Sequence, residues 1–265
     1  MADFLYTWPS QNQAPAGTWS ASPGLANGYE AAWVADERPE RPSRLSAATG
    51  YWQVDFGAAR RVDLVAIVAH TLVAGATVQV QGGNATPPTT LSTTLTVPAL
   101  RADDQRWNLW RRLTDVTGYT VDGFRYWRFT IASNSGTCQV GEIWLAAQVH
   151  ALPLGVQPEG TRDEERLVIT HETGQQVLLQ IDRGVTVRRL QARVLVKTET
   201  DLQTLLEWTR SARGRARPSL VVPSDGDAHD AWLAVFDTTR QSWTRRRGGL
   251  REVALALREL SAGAL

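Results

Sequence analysis

Tyr51-Trp52-Gln53-Val54-Asp55-Phe56-Gly57, followed after a basic link by Val62-Asp63-Leu64-Val65-Ala66-Ile67-Val68, decides how the rest of the chain reads. In the first half Trp52, Val54 and Phe56 alternate with Gln53, Asp55 and Gly57, the period of a half-buried strand. The second half is almost continuously apolar, which suits a strand covered on both faces. Ala76-Thr77-Val78-Gln79-Val80-Gln81 alternates again and runs into Gly82-Gly83-Asn84. Three consecutive strands of this kind predict the centre of an all-β domain.

The same residues carry a resemblance. Trp52-x-Val54-Asp55-Phe56-Gly57, the Arg60–Val68 run, Tyr126-Trp127-Arg128-Phe129-Thr130-Ile131 and Gly141-Glu142-Ile143-Trp144-Leu145 follow one another as in the galactose-binding-like, discoidin-type jelly roll. The resemblance spans roughly residues 20–147 and implies a β-sandwich whose loops face ligand. With its His70-Thr71-Leu72 ending it is most similar to such domains on tailed-phage tail proteins.

At 265 residues the chain has room for two domains. Hydrophobic content of 43% and charged content of 21% are those of a globular protein. No apolar run reaches the length of a membrane span. Met1–Leu5 lacks the basic and apolar regions of a secretory signal, so synthesis in the host cytoplasm is expected. A single cysteine, Cys138, excludes an internal disulfide and reads as a small strand residue. The net charge of +1 gives no bulk pull toward nucleic acid. Of eleven tryptophans, eight precede residue 150, which makes Trp either the core or the contact residue of the first half.

The chain divides into a jelly roll with an extended arm over 1–149, a linker over 150–165 rich in Pro and Gly, and a second unit over 166–265. The arm carries Trp8 and Trp19 and is expected to lie along the jelly roll or on a neighbouring subunit. Ala35–Arg44 is a charged loop. In the second unit Leu167–Ile169 and Gln176–Ile181 suggest a hairpin, and Val185–Val196 a further strand. Thr198 to about Arg213 is a helix, with Thr198 and Asp201 as a loose capping box and Leu202, Leu205 and Leu206 on one face. Together with Pro218–Pro223, Ala231–Phe236 and the closing Leu257-Arg258-Glu259-Leu260, this half resembles the small β-sandwich of phage tail-tube and distal-tail proteins.

No nucleophile elbow, phosphate loop or metal-ligand spacing occurs, and His70, His150, His171 and His229 are dispersed. No catalytic residue, metal or cofactor is therefore expected. Asp225–Asp230 reads as a solvated turn, since it lacks the closing Glu of a calcium loop. Candidate ligand contacts are the aromatic and polar residues at strand ends and loops: Trp33, Arg38, Arg44, His70, Trp110 and Arg112. Candidate subunit contacts are Trp8, Trp19, Arg213, Arg215, Arg217, Arg245, Arg246 and Arg247, where Arg suits an acidic partner surface.

The resemblances imply a non-enzymatic structural component of a phage tail tip or baseplate, located in the virion. It would form a homo-oligomeric ring beside tail-tube, hub and fibre proteins and display the jelly roll. The alternative is a carbohydrate-binding module for attachment to a host-surface glycan.

Overall fold

The computed structural model describes residues 4–99, 108–151, 161–172, 178–196, 198–212, 217–222, 231–236, 243–245 and 251–260, with backbone alone over 161–172, 178–189, 191–195 and 243–245. It is mainly β. In chain order the strands are β1 (Leu5–Thr7), β2 (Thr18–Ser22), β3 (Ser43–Arg44), β4 (Gly50–Arg60), β5 (Leu64–His70), β6 (Thr77–Gly83), β7 (Leu91–Thr96), β8 (Leu109–Arg112), β9 (Phe124–Ala132) and β10 (Gln139–Ala146). Then come β11 (His150–Ala151), β12 (Thr161–Glu172), β13 (Leu178–Val196), helix α1 (Glu199–Ser211), β14 (Ser219–Val222), β15 (Trp232–Phe236), β16 (Trp243–Arg245) and β17 (Arg251–Glu259).

Two antiparallel sheets, ordered β2-β4-β9-β6-β7 and β3-β10-β5-β8, form the jelly roll. Trp52, Val54, Phe56, Val78, Val80, Trp127 and Phe129 of the first sheet face Val65, Ile67, Leu109, Val140 and Leu145 of the second. The period-2 alternation of β4 thus points its aromatic and branched residues inward, as the sequence predicts. Burial of these side chains at about 25 cal/mol per Å² is the main force holding the sandwich. Gly123 shows how tightly β9 enters: with φ 73° it takes a left-handed turn, and a Cβ there would strike the Arg60 carbonyl.

The third sheet, β11-β1-β14-β15-β17-β13-β12 with β16 also on β17, holds the second half of the chain and one strand of the first. β1 pairs with β14 at Leu5↔Val222 and Thr7↔Leu220. The first strand of the arm therefore enters this sheet, while the residues after it lie along the jelly roll as expected: Asn12 bridges to Ala146, and β2 pairs with β4. The arm's alternate residues explain the choice: Leu5 faces one apolar layer while Phe4 and Tyr6 face another.

The layers stack on one another. Leu64, Ala66, Val68, Trp110 and Trp144 leave the back of the four-stranded sheet and pack on Leu220, Val222 and Leu233 of the third sheet. This second cover is why the β5 run is apolar at consecutive positions. On the far side of the third sheet α1 lays Leu202, Leu205 and Trp208 over Val221, Trp232, Phe236 and Leu257. The capping box forms: Thr198 Oγ1 accepts from the Asp201 amide at 3.1 Å, and the Asp201 carboxylate accepts from the Thr198 amide at 3.4 Å.

The hairpin is longer than the sequence predicts. β12 begins at Thr161, inside the stretch whose composition marks a linker, and pairs with β13 from Thr161↔Gln191 to Glu172↔Leu178. β17 accompanies β13 only over Arg189–Val196. The remainder, Leu178–Arg188 with its β12 partner, is a two-stranded ribbon among the described residues. Asp225–Asp230 lies outside them.

Candidate ligand-binding rim

The loop between β2 and β3 folds over one end of the four-stranded sheet. A short 3-10 turn over Ala31–Ala35 buries Val34 and Ala35 in the sandwich and leaves Trp33 half-buried at the rim. The Tyr29 ring lies 5.9 Å from that of Trp33, and Gln139 Nε2 donates to Tyr29 Oη at 3.4 Å. The exposed Arg41 guanidinium sits 4.0 Å from the centroid of the Trp33 ring. Among the described residues its carboxylate tie is Asp36 at 3.6 Å, longer than a hydrogen bond and made to a buried carboxyl oxygen. Arg38 is exposed beside it; its amide donates to Asp36 Oδ1 at 3.0 Å, and its carbonyl accepts from the Arg41 amide at 2.8 Å. Arg44 of β3 stands in register with Gln139 of β10.

The loop is anchored by a buried acid. Glu142, fully buried on β10, accepts the Glu37 amide at 3.0 Å. Glu37 itself adopts φ 61°, a strained conformation for a residue with a side chain. Its carboxylate takes a bidentate pair from Arg217 at 2.6 and 3.0 Å, tying the rim to the third sheet's side of the molecule. Burial, with the Asp36 and Glu37 charges adding, pushes the Glu142 carboxyl well above its ordinary range. Gly141 makes the close approach possible, because a Cβ there would meet the Pro39 carbonyl and Ala69.

Trp33, Arg38 and Arg44 therefore lie on one rim. His70 ends β5 in register with Val140, at the same end of the sheet, and its Nδ1 accepts the Leu72 amide at 3.3 Å, which makes it a turn-former. Two candidates are corrected. Trp110 is 6% exposed and packs between the four-stranded and third sheets, so no ligand reaches its ring. Arg112 is exposed but opposite Leu64, six strand positions from His70 and hence about 20 Å away.

Among the proposed subunit contacts, Trp8 is 2% exposed and stacked on His150 at 4.3 Å within its own chain. Trp19 is half-buried on Phe129 and donates to the Ala14 carbonyl at 2.9 Å. The acidic partner of Arg217 is Glu37 of the same chain. Arg213, Arg215, Arg246 and Arg247 lie outside the described residues, and Arg245 is described in backbone only, in β16.

Sequence reading misses Tyr29, Arg41 and Gln139, whose meeting is purely spatial, and the anchoring role of Glu142. The signal for Glu142 is a carboxylate amid apolar residues in Gly141–Leu145. Cys138 is buried immediately before β10, not within a strand, its thiol pushed up to about 12 by desolvation. Among the described residues no three His, Cys, Asp or Glu side chains group as a metal site, and no helix is long and apolar enough to cross a membrane.

The rim thus gathers an aromatic ring, a phenol, an amide and guanidinium groups. The ring offers stacking area and the polar groups fix orientation. No protein-family model and no curated protein match the chain. Solved structures do. The lectin domain of lectinolysin complexed with Lewis B antigen is 16% identical over 52% of this chain and 98% of its own, with TM-score 0.41. The family 32 CBM from Clostridium perfringens NanJ in complex with galactose is 13% identical over 56% and 99%, with TM-score 0.39. A Streptococcus pneumoniae fucose-binding module is 13% identical over 52% and 95%, also with TM-score 0.39.

Proposed function

We propose that the chain is a non-catalytic carbohydrate-binding protein, its jelly roll reading a glycan at the rim around Trp33. The observation that carries this is the Trp33–Arg41 stack: a half-buried indole whose face is covered by an exposed guanidinium, tied among the described residues to Asp36 by a long 3.6 Å ion pair. A sugar ring displacing Arg41 gains the indole face, while Tyr29, Gln139 and Arg38 supply hydrogen bonds. A glycan array followed by titration calorimetry tests it. Trp33→Ala is expected to weaken binding by about ten- to a hundredfold, the worth of one aromatic stacking contact. No binding across a broad array, or unchanged affinity in Trp33→Ala, overturns the reading.

A second reading is favoured by the β12–β13 ribbon: a structural component of a phage tail tip or baseplate that assembles as a ring and displays the jelly roll. A lone two-stranded ribbon is marginal in water, and its open edges are templates for another chain. Pairing between successive copies is a heterologous contact of the kind that closes rings. Light scattering with electron microscopy of the pure protein checks this. Rings lost on shortening the ribbon support the reading; a monomer at all concentrations that is absent from virions refutes it.

A further inference from the structure

The outward face of the five-stranded sheet carries an arrangement independent of the Trp33 rim. Strand register places Ser20, Gln53, Arg128, Gln81 and Ser92 side by side across all five strands. Four inter-strand steps of about 4.8 Å make this row about 19 Å long. Arg128 is its centre and its only charge.

Arg128 is fixed before anything binds. Its guanidinium lies 4.2 Å from the centroid of the Tyr51 ring, and its Nε donates to Gln53 Oε1 at 2.8 Å. Its terminal amino groups, however, meet no anion among the described residues. Asp55 is the only carboxylate in the five strands, and it is taken bidentate by Arg125 at 2.7 and 2.8 Å. Among the described residues a half-exposed cation thus remains without a counter-charge, its planar fork turned to a face of amides and hydroxyls. Stacking and the Gln53 contact have already removed much of the rotamer freedom that binding would otherwise cost.

We propose that this row is a second ligand site, for a carboxylate-bearing sugar. The carboxylate takes the Arg128 fork, and the Gln81 amide and Thr130 hydroxyl beside it engage the sugar hydroxyls. An extended acidic peptide fits less well. The strands around Arg128 are interior ones, so their backbone groups are spent in the ladders and none is left to pair with a peptide. A carboxylate on a guanidinium fork is also the strongest polar contact this face can make.

The test is a titration of the full chain with sialyllactose and with trigalacturonate, against neutral lactose, followed by amide chemical shifts. At least one acidic probe is expected to bind, with shifts centred on β4, β6 and β9 and with affinity falling as salt rises. Arg128→Gln is expected to cost about tenfold or more, the worth of hydrogen bonds to a charged group. Arg128→Lys, which keeps charge and loses the fork, is expected to recover part of that loss. Thermal midpoints of both variants close to wild type show that the sheet is intact. No acidic probe binding, shifts confined to residues 29–44, or equal affinity in Arg128→Gln overturns the assignment. Lactose binding at residues 29–44 concerns the rim reading alone, so the two fail separately.

Discussion

Replacing Trp8 by alanine should remove a structural tie that holds the opening strand in the third sheet. The indole is 2% exposed, stacked on His150 at 4.3 Å and 6.0 Å from Tyr6, which in turn stacks on Trp208 at 4.3 Å. A buried tryptophan removes roughly 150–250 Å² from water. At about 25 cal/mol per Å² that is about 4–6 kcal/mol of transfer free energy. Alanine keeps the β-carbon and the neighbours relax in part, so the expected loss is about 3–5 kcal/mol. For a chain of this size that lowers the melting temperature by roughly 6–20 °C. Urea and thermal unfolding of both proteins, each at two widely separated concentrations, provide the assay. Because every partner of Trp8 belongs to its own chain, the loss should not depend on concentration. A loss below about 1 kcal/mol refutes the packing argument. A wild-type midpoint that rises with concentration while that of Trp8→Ala does not would place Trp8 between subunits instead.

Two further predictions concern buried ionisable groups. Burial lowers the His150 pKa, with Glu207 opposing, so the folded chain binds this proton less readily than the unfolded one. Its contribution to stability is then complete above about pH 6.5 and lost as pH falls through the lowered folded value. His150→Phe keeps a ring on Trp8 and should flatten the fall in urea midpoint between pH 8 and pH 5; an unchanged slope contradicts the assignment. Glu142 has the opposite sign, because its carboxyl is raised: the stability it lends is present below the unfolded value of about 4.5 and lost as pH rises through the folded one. Glu142→Gln, which keeps the acceptor for the Glu37 amide, should stabilise the chain at pH 8 relative to wild type and leave it nearly unchanged at pH 4. Equal stability of the two proteins at pH 8 would show that Glu142 is charged when folded.

Much of the architecture is legible in single strands and in α1. The alternation of Trp52, Val54 and Phe56 reports a strand with one wet face, and it is so because successive side chains leave a strand on opposite sides. The Thr198–Asp201 spacing marks a helix start for an equally local reason, since the cap closes within four residues. Sites are less legible. Trp110 and Trp33 are both tryptophans at strand ends or loops, yet one is sealed between sheets and the other stands at the rim.

By itself the sequence determines that the chain is mainly β, roughly where β4 to β10 run, that it has a capped helix, and that α1 turns Leu202 and Leu205 to one side. These depend on contacts a few residues apart, so periodicity and turn chemistry encode them. Only the tertiary structure decides that Leu5–Thr7 joins a sheet built more than two hundred residues later, that Glu37 reaches Arg217, and that Arg125, not Arg128, takes Asp55. Each depends on sheet register and on which faces the layers cover. Those are long-range outcomes of packing, and no local pattern of residues records them.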